Sequence, residues 1–223
     1  MREKIIVLDL DDTLYEEMSF VKGGFLAVAS YLQNSYKVPR KKSFDFMLNE
    51  LNKGRGKIFD DLLKHFGLFS KNKVIKLISV YRSHRPKIDL YPDAKRFLKR
   101  FTASSKYIVT DGNKQVQLNK VKALKVEDSV KKVFITHRFG RKNAKPSLYC
   151  FLKIAKMEKV SPPEIVYIAD DPQKDFIGIK KLGFNSIRVL RGNHKLLKLA
   201  KKFEADLEVK NLDEIDKKML KDI

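Results

Sequence analysis

A single cysteine, Cys150, excludes an internal disulfide, and inside a helical apolar pattern it reads as an ordinary core residue. No apolar run approaches the roughly 18–20 residues needed to span a bilayer, so no membrane association is expected. After Met1-Arg2-Glu3-Lys4 the first apolar run lasts four residues before Asp9, too short for a secretory signal, and a cytoplasmic protein is expected. Internal repeats and low-complexity linkers are absent from the sequence. Acidic residues are scarce as well: 27 Asp and Glu face 48 Lys and Arg, a net charge of +21. Such a surface attracts polyanions without specificity. Zinc-finger spacing and aromatic–basic RNA-binding signatures are both missing, however. The charge is therefore read chiefly as a lysine-rich solvated surface, with steering of an anionic substrate as a minor role. Nucleic acid is disfavoured as a partner but left open by the +21 charge, and oligomeric state is left open too.

With 223 residues, 43% of them hydrophobic, the chain can bury the core of one large domain or two small ones. Its organising stretch is Ile5-Ile6-Val7-Leu8-Asp9-Leu10-Asp11-Asp12-Thr13-Leu14. Four apolar residues read as a strand buried on both faces. Carboxylates at the carboxyl end of a buried parallel strand lie where open α/β sheets place ligands. Asp9 and Asp11, two apart, can both be aimed at one small ligand, and a divalent cation offsets their repulsion. Asp12 or Thr13 taken alone reads as a turn or helix cap.

From Glu16 to about Lys87 the apolar spacing is helical throughout. Four helices are expected, the first carrying Phe20, Phe25, Val28, Ala29 and Leu32. The second spans Ser43–Leu51, the third runs from Ile58 to Gly67, and the fourth ends before Arg85-Pro86. The remainder alternates strands and helices, so residues 16–87 read as a helical insertion into an α/β core formed by 1–15 and 88–223.

Within that core, the strand Lys106–Thr110 ends in Thr110-Asp111-Gly112-Asn113. A hydroxyl there, beside the backbone N–H groups of a glycine turn entering a helix, can bind phosphate oxygens; alone, Thr110 is an ordinary strand residue. Lys145 precedes Pro146 and an expected helix over Ser147–Met157. A cation is disfavoured at a helix start, which suggests that Lys145 has an anionic partner elsewhere. Ile165–Ala169 is a second strongly strand-like run, and it too ends in carboxylates: Asp170-Asp171-Pro172-Gln173-Lys174-Asp175. A helix follows over Phe176–Leu182, then a strand over Asn185–Leu190. The tail suggests a helix near Lys195–Lys202, a weak strand at Leu207–Val209 and a final helix.

Four apolar residues followed by Asp-x-Asp-x-Thr-Leu resemble the first motif of the haloacid dehalogenase-like superfamily. Thr110, Lys145 and Ala169–Asp175 resemble its second, third and fourth motifs, in order, over nearly the whole chain. The resemblance implies a Rossmann-like three-layer α/β core with a central parallel sheet, the first strand in the middle, and an inserted α-helical cap domain. It implies Asp9 as nucleophile and Asp11 as acid/base. Thr110 and Lys145 would stabilise phosphate oxygens, with Asp111 and Gly112 also at the substrate. Mg²⁺ would be held by Asp9, Asp170 and the Asp11 backbone carbonyl, with Asp171 and Asp175 around it. Asp175 is expected to orient Lys145 or a metal-bound water. Two departures stand out: Ala169 replaces the usual glycine, and Asp171 replaces a common Asn or Ser. The expected activity is Mg²⁺-dependent hydrolysis of a small phosphorylated metabolite through an aspartyl-phosphate. A phosphomutase and a non-catalytic polyanion binder remain alternatives, whereas Asp11 argues against a dehalogenase, whose halide needs no proton. Lys22, Arg55, Lys57 and Arg85 are candidate substrate contacts in the insertion.

Overall fold

The computed structural model describes residues 3–54 and 56–223; Arg55 lies outside the described residues. The chain forms two compact units, one running to Glu17 and resuming over Ile88–Ile223, the other Met18–Lys87.

The larger unit is built on a six-stranded parallel sheet. Its strands are β1 (Ile5–Leu8), β2 (Lys106–Thr110), β3 (Lys132–Ile135), β4 (Ile165–Ala169), β5 (Asn185–Val189) and β6 (Leu207–Val209). Their spatial order is β3-β2-β1-β4-β5-β6, so β1 is flanked by the Thr110 strand and the Asp170 strand. All residues of β1, β2 and β4 are buried, as expected for a parallel sheet covered by helices on both sides. Alternation along β1 sends Ile5 and Val7 to one face, where they join Val109, Tyr167 and the helical residues Phe151 and Ile154 in one core. The strand order reverses its direction of winding at β1, which opens a crevice at the carboxyl ends of β1, β2 and β4.

The smaller unit is helical: α1 (Glu17–Tyr36), α2 (Arg40–Lys53), α3 (Ile58–His65) and α4 (Lys71–Ser83). Its core gathers Val21, Phe25, Val28 and Leu32 with Met47, Leu62, Leu63 and Leu77, one set from each helix. The Tyr81 ring lies so close to Gly24 that a Cβ there would sit 2.5 Å from it, which explains a glycine inside a long helix.

The remaining helices belong to the sheet unit: α5 (Pro92–Arg100), α6 (Lys114–Leu124), α7 (Tyr149–Glu158), α8 (Ile177–Lys180) and α9 (Lys217–Asp222). Two sequence expectations need correction. Helix α7 begins at Tyr149, because Ser147 closes a turn onto the Ala144 carbonyl and its Oγ accepts from the Tyr149 N–H. Lys145 is therefore not at a helix start, and the dipole argument does not apply to it. Nor is there a helix over Lys195–Lys202. The buried Arg188 guanidinium donates to the carbonyls of His194 and Leu197, both at 2.7 Å, and pairs with Glu204. Carbonyls committed to Arg188 leave this segment as turns.

Candidate active site

The backbone leaving β1 stays in the ladder for one more residue, since the Asp9 N–H donates to the Ile168 carbonyl at 2.9 Å. It then turns: the Leu14 N–H bonds the Leu10 carbonyl, and Asp12 takes a left-handed φ of 50°. This bend separates the two acids of the strand end. Asp9 is buried and faces the end of β4, where its carboxylate oxygen lies within 4.8 Å of those of Asp170 and Asp175.

Lys145 is the cation of this cluster. Its Nζ donates to Asp9 Oδ1 at 2.6 Å, to Asp175 Oδ1 at 2.8 Å and to the Tyr167 hydroxyl at 2.7 Å. Burial would push the ammonium down, but Asp175 and Asp9 outweigh it and hold Lys145 above the ordinary lysine range. Asp175 is fixed in turn by the Tyr167 hydroxyl at 2.9 Å and by the Asp171 N–H at 3.1 Å. The Asp170 carboxylate meets only the Thr13 hydroxyl, at a long 3.4 Å, among its described hydrogen bonds. Burial, reinforced by Asp9 and Asp175, pushes Asp170 up to about 9. Burial likewise pushes Asp9 up to about 7, against the pull of Lys145. Counting Asp171 and its partner Lys174 at 3.3 Å, four carboxylates gather here against two lysines. Hard oxygen donors with an uncompensated negative charge are the ligand set that suits Mg²⁺.

Asp11 points to the other side, toward β2 and α6. Its Oδ1 accepts from the Tyr15 hydroxyl at 2.5 Å and from Lys120 Nζ at 2.7 Å; its Oδ2 accepts from Gln117 Nε2 at 2.9 Å. Burial acts to raise this carboxyl, but the Lys120 charge and the three donors together hold it below the usual carboxylate range. Its side chain is thus outside the acidic cluster, while its backbone stays at the strand end.

Thr110, fully buried at the end of β2, accepts from Gln117 Nε2 at 2.5 Å. Asp111 accepts from the Thr136 hydroxyl and, at 3.1 Å to both oxygens, from the Lys145 N–H. It thereby ties the Lys145 loop to the end of β2. Gly112 has φ +132°, a conformation other residues rarely adopt, and a Cβ there would press on Gln117 at 3.3 Å. Asp171 reaches Lys174, and His194 Nε2 at 3.5 Å. Asp9, Lys145, Asp170 and Asp175 thus form one group, while Asp11 and Thr110 form a second through Gln117.

Sequence reading missed Tyr15, Gln117, Lys120 and Tyr167. Gln117 and Lys120 are three apart on α6, so they share a helix face, and both are buried. A buried polar pair on an otherwise amphipathic helix is a signal that spacing alone could have raised. Tyr167 sits in a run that reads as plain buried strand, and nothing in the pattern sets it apart.

Comparison with known proteins gives a consistent picture. Residues 6–189 match the family model of haloacid dehalogenase-like hydrolases. A glyceraldehyde 3-phosphate phosphatase from Methanocaldococcus jannaschii is 30% identical over 86% of this chain and 87% of its own length. One of the same name from Pyrococcus furiosus is 27% identical over 96% and 92%. Among solved structures, a Bacillus subtilis protein described as a HAD-hydrolase and crystallised with magnesium superposes with a TM-score of 0.68. It is 17% identical and covers 96% of this chain and 97% of its own, a likeness of fold.

Proposed function

The chain belongs to the haloacid dehalogenase-like hydrolase family, and from that premise we propose that it is a Mg²⁺-dependent phosphatase of small phosphomonoesters, acting through an aspartyl-phosphate on Asp9. The observation that carries this reading is the buried cluster of Asp9, Asp170 and Asp175, in which Lys145 pairs with Asp9 and Asp175. Such a site is short of positive charge and matches a metal plus a phosphoryl group. The carboxylates of Asp9 and Asp170 and the Asp11 backbone carbonyl would hold Mg²⁺. When bound, the ion supplies the charge that screens Asp9 from the phosphate it attacks.

Asp9 attacks phosphorus as the bond to the leaving oxygen breaks, and Asp11 passes its proton to that oxygen. The approaching phosphate dianion favours the protonated form of Asp11, since a like charge disfavours the carboxylate. Thr110, Lys145 and the N–H groups around Asp111 and Gly112 stabilise the equatorial oxygens. Water then attacks the phosphorus of the aspartyl-phosphate, Asp11 takes its proton, and inorganic phosphate leaves with Asp9 regenerated. Asp175 and Tyr167 keep the Lys145 ammonium in place, and Asp171 contributes through the Asp175 carboxylate that its N–H binds.

The relatives' name makes a three-carbon phosphate the first substrate to try. The helical unit Met18–Lys87 would serve as the cap that selects the substrate. Phosphate release from p-nitrophenyl phosphate and glyceraldehyde 3-phosphate, with EDTA and then with Mg²⁺ restored, tests the reading. Turnover that EDTA abolishes and Mg²⁺ recovers supports it; turnover unchanged after exhaustive metal removal contradicts it.

A further inference from the structure

The Gln117 amide stands between two groups of the proposed site. Its Nε2 lies 2.5 Å from Thr110 Oγ1 and 2.9 Å from Asp11 Oδ2. The chemistry of these partners fixes which way the amide faces. Beside the Lys120 ammonium at 2.7 Å, Asp11 presents acceptor oxygens, so the NH₂ group rather than the carbonyl meets its Oδ2. The two hydrogens on that nitrogen then serve the two partners, one each. Thr110 Oγ1 accepts from Gln117, which leaves the threonine's own proton unspent and available to a phosphate oxygen. With the amide turned over, Thr110 would instead donate to Gln117 and offer a phosphate only lone pairs.

The other side of Asp11 is held just as firmly. Oδ1 receives both the Tyr15 hydroxyl and the Lys120 ammonium, so its two lone-pair positions are taken. Among the described residues, Oδ2 has a single hydrogen-bond donor, Gln117, which leaves one of its positions open. Lys120 is buried and crosses the Tyr15 ring with its Nζ 6.0 Å from the ring centre. Gly112 lies against the Gln117 side chain: a Cβ there would sit 3.3 Å from its amide and Cγ atoms.

We propose that Gln117 is a positioning residue for phosphoryl transfer, its one amide group turning Thr110 into a donor and holding Asp11 so that Oδ2 is the oxygen that exchanges the proton, with Lys120 locking Oδ1. The inference rests on the phosphatase reading of the site. Gln117 acts through Thr110 and Asp11, and Lys120 acts through Asp11.

Gln117→Met and Lys120→Met, which keep side-chain length, test it beside Asp11→Asn. Turnover is measured with an alkyl ester, glycerol 3-phosphate, and with p-nitrophenyl phosphate, whose leaving group needs no proton. Gln117→Met is expected to lower kcat on the alkyl ester by about tenfold or more, part of the ~10²–10⁴-fold that proton transfer supplies. Its loss on the aryl ester should be smaller and should come through Thr110 alone. Lys120→Met should show the alkyl-selective loss and Lys120→Arg should recover most of it. Beryllium fluoride binding, read as a melting-temperature rise with Mg²⁺, should persist in each methionine variant and so show an assembled site. If Asp11→Asn shows the alkyl-selective loss but the two methionine variants lose equally on both esters, the acid role stands and the positioning inference is overturned. If Asp11→Asn itself shows no selectivity, the acid role fails and the inference falls with it.

Discussion

Asp9 and Asp11 lie two residues apart on one strand end, yet their surroundings are opposite. Asp9 faces other carboxylates and is pushed up to about 7, with Asp170 beside it at about 9. Asp11 faces an ammonium, a phenol and an amide, and is held below its usual range. Environments that split neighbouring acids in this way mark a division of labour. The Asp9 side has more carboxylates than cations, four acids against Lys145 and Lys174, whereas Asp11 is matched by Lys120. On the proposed reading, a metal would go to Asp9 and Asp170 and leave Asp11 to handle protons.

The sharpest way to break that comparison is to neutralise each acid in turn. Asp9→Asn should bring turnover to background on every phosphomonoester, because no oxygen nucleophile remains; measurable steady-state turnover by this variant would remove Asp9 from its role. Asp11→Asn should cost roughly 10²–10⁴-fold on an alkyl ester and distinctly less on p-nitrophenyl phosphate. A ratio of the two losses near one, with phosphoenzyme hydrolysis shown not to limit either, would reject the acid role. Asp170→Asn should raise the Mg²⁺ concentration for half-maximal activity by about tenfold or more, at least the cost of losing a supporting group around a metal. An unchanged Mg²⁺ titration would mean that the cation binds elsewhere.

The smallest effect is on stability. The folded-state values of Asp9 and Asp170 are raised above those of an unfolded chain, so the folded protein binds the extra protons. In EDTA, their contribution to stability is fully present below about pH 4 and is lost as pH rises through about 7 and then 9. Mg²⁺ takes the place of those protons, so the rise in melting temperature that it produces should be larger at pH 9 than at pH 6. For a chain of this size each kcal/mol of metal binding moves the midpoint by about 2–4 °C. An equal rise at both pH values would count against a metal on these two carboxylates.

Much of this arrangement was legible in the sequence. Buried strands ending in acids gave β1 and β4, and the change from helical to alternating spacing separated the insertion from the sheet. Asp9, Thr110 and Asp170 were readable because each stands at a strand end, and Lys145 only through the family resemblance, since its helix-start argument failed. Gln117, Lys120 and Tyr167 were not, because they lie inside regular elements where a polar residue shows its role only through its three-dimensional partner. The absent helix at Lys195–Lys202 failed for a related reason. Its helical composition is overridden by Arg188, a residue on a neighbouring strand that claims its carbonyls.

The division between the two acids is tested most directly by trapping the phosphoenzyme mimic. Beryllium fluoride binds a carboxylate nucleophile beside Mg²⁺ and needs no proton donor, so its binding can be followed by fluorine NMR in the parent, Asp9→Asn and Asp11→Asn proteins. The expected result is a bound, Mg²⁺-dependent signal in the parent and in Asp11→Asn and none in Asp9→Asn. A bound signal of equal strength in both variants would contradict the assignment of nucleophile to Asp9 and of proton transfer to Asp11.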